Sequence, residues 1–289
     1  MPSNHEHARH EHSHHEHGDA PDLVTLLDLD AEVLHDYLAE VIAWTRELAG
    51  ERPRPRILDL GSGSGTGAIA LAQSFEGAEV TAVDSSEPML EHLRRRSREL
   101  GLADRIHTLR ADLDAAWPAL EPVDVAWASA SLHHLADPDR VLADIFATVR
   151  PGGVLAVAEL DSFPRFLPAD LGFGRPGLEA RLHELADAAR AEQLPHIGAD
   201  WGPRLSKAGF VVEGERHFSL VLTDPLPAGT VRYAETLLGR LRASLGDRLD
   251  ADDRASLDTL LAGNGPDSLA HRADLTVRAA RTVWMGRRP

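Results

Sequence analysis

The alternation of short apolar runs with helical periodicity along the chain predicts an α/β fold. Five runs have the length and apolar content of buried strands: 57–60, 79–84, 105–109, 123–128 and 154–159. Between them, apolar residues recur at helical spacing, as in residues 66–75 and 138–149. Strands that alternate with helices of this length favour a parallel, doubly wound sheet with a layer of helices on each face.

Hydrophobic periodicity also predicts the segments on either side of this core. Leucines at helical spacing indicate one or two helices in residues 21–54, before the first strand. After residue 160 the pattern predicts a loop at 161–177 and two helices, at 178–192 and 199–208. It then predicts a strand at 210–222, a helical insertion at 223–270 and a closing strand at 275–285. We therefore expect a single domain over residues 21–289, whose regular core lies at 55–160.

Residues 1–20 lack an apolar periodicity, and we predict that this tail is disordered. It contains seven histidines that, together with glutamates, can bind metal ions adventitiously: His5, His7, His10, His12, His14, His15 and His17. Residues 10–14 match the zinc-protease string HExxH, but that motif requires a rigid helix and a third ligand from a fold. We interpret the match as accidental and expect no metal site in the folded part of the chain.

Composition and charge narrow the classes of function. With 43% hydrophobic and 26% charged residues, the 289-residue chain has the balance of a soluble globular enzyme. The absence of cysteine excludes disulfides and thiolate chemistry. A formal net charge of −16 argues against a nucleic-acid partner, and no apolar run reaches membrane-spanning length. We expect a cytoplasmic protein without a membrane partner, and a homodimer is compatible with the sequence.

A glycine-rich loop after the first strand is the strongest candidate for a binding site. Gly61, Gly63, Gly65 and Gly67 follow the apolar run 57–60 and lead into a helix. Glycine permits tight turns and a close approach of a ligand to the backbone, and the start of the helix adds unpaired amides. Such a strand–loop–helix unit binds the polar part of a nucleotide-like cofactor, and the glycine spacing alone also fits a dinucleotide.

Three acidic residues help to distinguish a nicotinamide dinucleotide from other nucleotide-like cofactors. Asp84 ends the second strand, where a carboxylate can bind the ribose hydroxyls of a nicotinamide dinucleotide as well as those of other nucleosides. Asp59 lies two residues before the first glycine, inside the motif. Asp112 follows the third strand, where its carboxylate can accept a hydrogen bond from an adenine amino group. The last two positions favour a cofactor other than a nicotinamide dinucleotide.

Five motifs in order resemble those of the class I S-adenosylmethionine-dependent methyltransferases: residues 59–65 (DLGSGSG), Asp84, residues 112–113 (DL), residues 132–135 (LHHL) and residues 150–153 (RPGG). The resemblance covers roughly residues 55–160. It implies a Rossmann-like, seven-stranded sheet whose final strand is antiparallel, with N-terminal helices and a helical insertion that forms a lid. It also implies that residues 55–160 bind S-adenosylmethionine, while the loop 161–177 and the insertion cover the substrate.

The resemblance assigns roles to individual cofactor-binding residues. In this family the positions of Asp59, Gly61, Gly63 and Gly65 hold the methionine part of the cofactor, and Asp84 accepts from the two ribose hydroxyls. Around the adenine and the substrate-facing end, the resemblance implies contacts from Ser85, Met89, Asp112, Leu113 and Ser129.

The chemistry expected from this resemblance is transfer of a methyl group to a small molecule, with oxygen favoured over nitrogen or carbon and a place in secondary metabolism. The apolar composition of residues 161–177 favours an apolar acceptor. His133 and His134 follow the fourth strand, where one of them can act as a general base or the pair can stabilise the loop. Two other functions stay open, an NAD-dependent oxidoreductase and a non-catalytic cofactor-binding protein with a metal-binding tail.

Overall fold

The computed structural model of the protein describes residues 20–191 and 194–289. Its seven strands are β1 (Arg56–Leu60), β2 (Glu79–Asp84), β3 (Ile106–Arg110), β4 (Val123–Ser129), β5 (Val149–Arg165), β6 (Val211–Leu222) and β7 (Val277–Arg287). They form one sheet in the order β3-β2-β1-β4-β5-β7-β6. Strand β7 is inserted between β5 and β6 and pairs antiparallel with both, whereas the other pairs are parallel. The predicted seven-stranded sheet with an antiparallel final strand is confirmed.

The helices of the described chain are α1 (Ala20–Val33), α2 (His35–Ala49), α3 (Thr66–Ser74), α4 (Glu87–Glu99), α5 (Pro138–Thr148), α6 (Leu178–Arg190), α7 (Gly202–Ala208), α8 (Thr230–Leu245) and α9 (Ala251–Leu260). Local sequence explains where several begin. Helix α5 starts after Asp137, whose side chain accepts from the amide of Arg140, and Pro138 occupies the first turn. Asp250 caps α9 in the same way through the amide of Asp253. None of the described helices has the length and hydropathy needed to cross a membrane.

The sheet is covered on both faces, as its sequence pattern requires. Alternate strand residues such as Ile57 and Val125 pack with α1–α3 and with the insertion helix α8 in one buried cluster. Their neighbours, such as Leu58 and Ala126, pack with α5 and α7 in a second cluster. This period of two follows from the pleat, because successive side chains of a strand point to opposite faces.

The structure departs from the sequence prediction beyond residue 160. Strand β5 continues to Arg165, so the predicted loop 161–177 begins five residues late. The extension pairs with β7, with irregularities on either side of Ser162, and Pro164 falls within the second one. A proline lacks the amide that a regular ladder needs and is tolerated at such a bulge. The predicted helical insertion 223–270 contains two helices, α8 and α9, separated by a 3-10 turn at Gly246–Arg248.

The histidine-rich tail predicted at 1–20 falls almost wholly outside the described residues, which begin at residue 20. Its predicted disorder and adventitious metal binding stay predictions. Within the described residues, no three histidine or carboxylate side chains are grouped so that they could hold a metal ion.

Candidate functional site

The glycine loop lies at the point where the strand order of the sheet reverses. Strands β1, β2 and β3 follow one another toward one edge, and β4 and β5 lead toward the other, so that β1 and β4 are neighbours at the centre. In open α/β sheets, ligands bind in the crevice outside the carboxyl ends of the strands at such a switch point. The loop after β1 and the segment after β4 form the walls of this crevice.

Three glycines of the loop have backbone conformations and neighbours that exclude a side chain. Their φ angles are +62° at Gly61, +52° at Gly63 and +82° at Gly65, in the left-handed region. A Cβ at Gly61 would lie 2.5 Å from the Cβ of Ser131, in the segment that follows β4. The loop is therefore bare backbone packed against its surroundings, as the sequence predicts.

Residues of two helices also contact this loop. A Cβ at Gly63 would lie 2.9 Å from a methyl group of Leu27 on α1. A Cβ at Gly65 would lie 2.2 Å from a methyl group of Leu93 on α4. Helix α1 is joined to α4 through Asp28, whose two oxygens lie 2.8 Å from His92 Nε2 and 2.7 Å from Arg96 Nη1. The N-terminal helix thus lies directly on the glycine loop.

Asp59 is a buried carboxylic acid beneath the loop, on β1. Its exposed fraction is 3%. Burial, reinforced by the nearby charge of Asp84, raises the pKa of Asp59 to about 7, although a hydrogen bond from the backbone of Ala68 opposes the shift. Its Oδ2 atom has no hydrogen-bond partner among the described residues. A buried acid in this state is suited to a cationic or hydrogen-bond-donating ligand.

Further unpartnered polar atoms surround the same loop. Within the described chain, buried side-chain atoms without a hydrogen-bond partner include the hydroxyls of Ser62, Ser64 and Ser131 and the indole nitrogen of Trp127. Trp127 lies opposite Asp59 on the neighbouring strand. A Cβ at Gly67 would lie 3.0 Å from the Trp127 nitrogen and 3.3 Å from Asp59 Oδ2, so the helix start is tightly packed against both side chains. Because buried polar atoms are normally paired, their concentration here marks a place for a polar ligand.

Asp84 links the end of β2 to the glycine loop. Its Oδ2 accepts from the amide of Gly63 at 2.8 Å, and its Oδ1 accepts from the amide of Ser86 at 2.8 Å. A carboxylate has about four lone-pair positions, so each oxygen can accept one more hydrogen bond. The side chain is half-buried and can therefore still bind a pair of hydroxyls.

The other predicted adenine-side residues lie at the carboxyl ends of β2 and β3. Asp112 follows β3 and is exposed, with its Oδ1 accepting from the amide of Asp114. The backbone of neighbouring Ala111 donates to the carbonyl of Asp84, which brings the two acids to the same edge. Ser85 is exposed, whereas Met89 and Leu113 are buried at 5% and 8% exposure.

Ser129 ends β4, and the turn that follows it presents the predicted histidine pair. Residues 132–134 form a 3-10 turn in which His133 is 2% exposed and His134 is exposed, with ring centroids 4.2 Å apart. Ala130, just before this turn, has a φ of +49°, which is uncommon for a residue with a side chain. Such strain is found where a structure holds a segment in a defined position.

Glu159, a residue that sequence reasoning noted only as the end of a strand, fixes His133. Its Oε2 lies 2.5 Å from His133 Nδ1, and its Oε1 accepts from the amides of Ser131 and Leu132. Glu159 is 2% exposed, so the contact is a buried one. The signal in the sequence was an acid at the carboxyl end of an otherwise apolar strand, next to the histidine-bearing turn.

Residues 57–153 match the family model described as a methyltransferase domain. The match spans the glycine loop, Asp84, Asp112 and the histidine turn. This segment, about a third of the chain, is similar to the methyltransferase domain of S-adenosylmethionine-dependent enzymes.

Curated methyltransferases resemble the chain over part of their length. A malonyl-[acyl-carrier protein] O-methyltransferase of Salmonella typhimurium is 37% identical over 84 residues, which cover 29% of this chain and 31% of that protein. A ubiquinone biosynthesis O-methyltransferase of Bordetella avium is 32% identical over 132 residues, which cover 45% of this chain and 54% of that one. The chain thus spans less than two thirds of the length of these relatives.

The fold is shared with solved structures over most of the chain. A proposed methyltransferase from Bacillus halodurans superimposes with a TM-score of 0.55 at 15% identity, covering 86% of this chain and 98% of the other. At this identity the likeness concerns the fold.

The crevice fits S-adenosylmethionine, the cofactor of the proteins that the chain resembles. The unpartnered atoms around the loop are carboxylate and hydroxyl oxygens and an indole N–H, which match the amino and carboxylate groups of a methionine moiety. At the other end, Asp84 and Asp112 supply acceptors for hydroxyl and amino groups. When bound, S-adenosylmethionine would supply a methyl group activated by its positively charged sulfur.

Proposed function

We propose that this protein transfers a methyl group from S-adenosylmethionine to an oxygen atom of a small-molecule acceptor. The observation that carries the proposal is the group of unpartnered buried polar atoms around the glycine loop, at the switch point of the sheet. In the reaction, an oxygen lone pair forms the new O–C bond while the S–C bond breaks and its electrons stay on sulfur.

The cofactor-binding roles proposed for individual residues follow their positions. Asp59 and the backbone of Gly61, Gly63 and Gly65 would hold the methionine end, since they line the buried part of the crevice. Asp84 would bind the ribose, and four residues would flank the adenine: Ser85, Met89, Asp112 and Leu113. Ser129 would lie at the methyl end, where β4 meets the histidine turn.

His133 is proposed as the base that takes the proton of an acceptor hydroxyl. A carboxylate bonded to one nitrogen of a histidine ring orients the ring and leaves the other nitrogen to accept a proton. Glu159 supplies this contact to Nδ1 of His133. His134 is exposed whereas His133 is buried, so His134 is the natural comparison.

An oxygen acceptor in a small molecule is supported by several features of the chain. Two relatives that it resembles are named as O-methyltransferases, of an acyl-carrier-protein substrate and of ubiquinone biosynthesis. The net charge of −16 disfavours a nucleic-acid acceptor. We further propose that residues 21–289 act as one domain, in which helices α8 and α9 cover the acceptor.

The proposal is tested first by calorimetry with S-adenosylhomocysteine and, separately, with NAD. We expect saturable binding of the first and none of the second, and the opposite result would establish the oxidoreductase alternative. Asp84→Ala should weaken S-adenosylhomocysteine binding by about tenfold or more, because it removes the acceptor for two hydroxyl donors.

The role of His133 is tested by comparing His133→Ala with His134→Ala. Loss of a general base typically lowers turnover by about 100-fold or more, and we expect this loss for His133 with S-adenosylhomocysteine binding unchanged. Acceptors come from a screen of phenols, carboxylates and amines, with methylation detected by mass. Unaltered turnover of His133→Ala would remove the base assignment, and methylation of amines alone would remove the assignment to oxygen.

A further inference from the structure

A second group of buried polar side chains lies beside the proposed methyl-transfer site, and we call it the Arg281 cluster. It consists of Arg281 on β7, Asp30 on α1, Tyr37 on α2 and Tyr233 on α8. Arg281 and both tyrosines are almost fully buried, with exposed fractions of 5%, 8% and 2% for Arg281, Tyr37 and Tyr233. The cluster therefore joins four separate elements of the chain at one place.

The register of the strands places Arg281 close to the end of β4. Ser129 on β4 lies opposite Ala158 on β5, and Ala158 lies opposite Val283 on β7. Neighbouring strands are about 4.8 Å apart, so β7 runs about 10 Å from β4. Arg281 is two residues, about 7 Å, farther toward the edge where β4 ends. Arg281 therefore lies near Ser129, the residue proposed for the methyl end of the site.

One half of the Arg281 cluster is internally satisfied. Asp30 Oδ1 accepts from Arg281 Nη2 at 2.5 Å and also from the hydroxyl of Tyr233. The Asp30 carboxylate neutralises the Arg281 guanidinium, and its two hydrogen bonds hold α1 and α8 against β7. It explains why a charged residue is tolerated on a buried stretch of strand.

The other half of the Arg281 cluster, formed by Tyr37 and the Nε–H of Arg281, has unmet hydrogen-bonding capacity. The hydroxyl of Tyr37 and the Nε–H of Arg281 are buried, and neither has a hydrogen-bond partner in the part of the chain that the structure describes. The Arg281 guanidinium lies 5.6 Å from the centre of the Tyr37 ring, so the two groups are neighbours. An Arg Nε–H can only donate, and a tyrosine hydroxyl can donate. Unpartnered donors on two neighbouring side chains are suited to a ligand that presents a hydrogen-bond acceptor.

The charges around this donor pair select the kind of oxygen. Burial is the main cause that raises the pKa of Tyr37, and the charge of Arg281 opposes it. Three carboxylates reinforce the rise: Asp30, Glu159 and Asp161. Tyr37 is therefore a protonated donor at neutral pH. Each acid has a basic neighbour: Asp30 is paired with Arg281, Glu159 contacts His133, and Asp161 contacts His217. A ligand carboxylate would add a fourth acid to this neighbourhood, which is unfavourable.

Apolar and aromatic groups surround the donors on the same face of the sheet. Residues opposite one another on antiparallel strands point to the same face, and Arg281 lies opposite both Leu160 and Phe218. The ring of Phe218 packs edge-on against Tyr37, with centroids 5.0 Å apart. A ligand here meets hydrocarbon on its sides and hydrogen-bond donors at one point.

We infer that the Tyr37 hydroxyl and the Arg281 Nε–H bind an uncharged carbonyl oxygen of the methyl acceptor, so that the acceptor is a hydroxyl-bearing ketone, quinone, ester or lactone with an apolar body. The inference rests on the proposed function, because it concerns the acceptor of the same reaction. It assigns a specificity role to Tyr37.

The test compares three probes that share a phenol and differ only opposite the hydroxyl: 4-hydroxyacetophenone, 4-ethylphenol and 4-hydroxybenzoate. Dissociation constants are measured by NMR titration of the full chain with saturating S-adenosylhomocysteine. We expect the ketone to bind at least about fivefold more tightly than 4-ethylphenol, which is the effect of one or two hydrogen bonds to buried donors. The carboxylate should bind more weakly than the ketone.

Two tyrosine variants provide the matched comparison, since both hydroxyls face the Arg281–Asp30 pair and only one is bonded. Tyr37→Phe should reduce the preference for the ketone to less than about twofold while leaving the midpoint of thermal unfolding within about 2 °C, because an unpartnered hydroxyl contributes no stability. Tyr233→Phe should keep the preference and lower the midpoint by about 4 °C or more, because it removes a hydrogen bond to Asp30.

Four outcomes would overturn the inference. Two concern the probes: equal binding of the ketone and 4-ethylphenol, including no binding of either, and tightest binding of the carboxylate. Two concern Tyr37→Phe: an undiminished preference for the ketone over 4-ethylphenol, and a large loss of thermal stability, which would mean that the Tyr37 hydroxyl already has a hydrogen-bond partner. Calorimetry with S-adenosylhomocysteine alone, done first, reports on the proposed function. Cofactor binding without a ketone preference would therefore contradict only the assignment of the acceptor.

Discussion

Asp59 and Arg281 are both buried charged residues at the same edge of the sheet, yet their surroundings differ in kind. Arg281 is bonded to Asp30 and contributes to the packing of three other elements. Asp59 has no cation beside it, one of its oxygens is unpartnered among the described residues, and its pKa is raised to about 7. The first charge is compensated within the chain, whereas the second is not.

The difference separates structural polar groups from ligand-binding ones. A buried ion pair with good geometry holds its elements in register, and losing one partner leaves the other stranded. A buried acid without a partner lowers the stability of the chain and is retained at a place where a ligand can compensate it. By this criterion the glycine loop is organised for a cofactor, and the Arg281 cluster is structural on the Asp30 side and ligand-binding on the Tyr37 side.

The largest expected effect comes from removing the compensated charge. Arg281→Leu should lower the free energy of unfolding by about 4 kcal/mol, because it leaves the Asp30 carboxylate without its cation. Denaturant unfolding monitored by circular dichroism measures the loss. A double variant, Asp30→Leu with Arg281→Leu, should lose clearly less than the sum of the two single variants, and additive losses would contradict the pairing.

The next largest effect has the opposite sign and concerns the uncompensated charge. Asp59→Asn should raise the free energy of unfolding at pH 8 by about 3 kcal/mol, somewhat less than a pKa raised from 3.8 to about 7 would allow, since the asparagine amide is itself a buried polar group. The same variant should bind S-adenosylhomocysteine more weakly. Asp84→Asn is the control and should be destabilised, because both oxygens of Asp84 accept backbone amides.

The pH dependence of stability follows from the same group. Between pH about 4 and about 7, Asp59 is more protonated in the folded chain than in the unfolded chain, so its contribution to stability falls as the pH rises through this window and is constant above it. Asp59→Asn should remove this part of the slope. Parallel pH profiles for the variant and the natural chain would contradict the raised pKa.

The smallest of these effects tests the bonded tyrosine of the cluster. Tyr233→Phe should lower the free energy of unfolding by about 2 kcal/mol, the range for a buried hydrogen bond to a charged group. Tyr37→Phe is the matched variant, and it should change the same quantity by less than about 0.5 kcal/mol. Equal losses would mean that the two hydroxyls are equally satisfied and would erase the distinction drawn between them.

The sequence predicted the core at residues 55–160 well, because each signal there lies within a few consecutive residues. A run such as 57–60 has the length of a buried strand, and the glycines after it have no common use in a helix or strand. The strands β1 to β4 and the antiparallel β7 follow these signals closely. The predicted cofactor residues also converge on one crevice, although their individual roles stay proposals.

The Arg281 cluster and the histidine turn were harder to predict, because their contacts join residues that are far apart in the sequence. The contact between Asp30 and Arg281 joins positions 251 residues apart, and nothing local to either residue predicts it. Strand β5 was predicted to end at residue 159, since Pro164 resembles a loop signal, and only the pairing with β7 extends it. Glu159 was visible as a strand end, but its contact with His133 depends on the turn that follows β4.

Helix α1 touches both sites with residues one turn apart. Leu27 lies on Gly63 of the cofactor loop, and Asp30 holds Arg281 in the cluster beside the acceptor position. Residues three apart on a helix share a face. A displacement of α1 that moves Leu27 away from the glycine loop therefore also moves Asp30, which is bonded to the Arg281 guanidinium. We therefore expect the two ligands to bind in a preferred order, with each affinity dependent on occupancy of the other site.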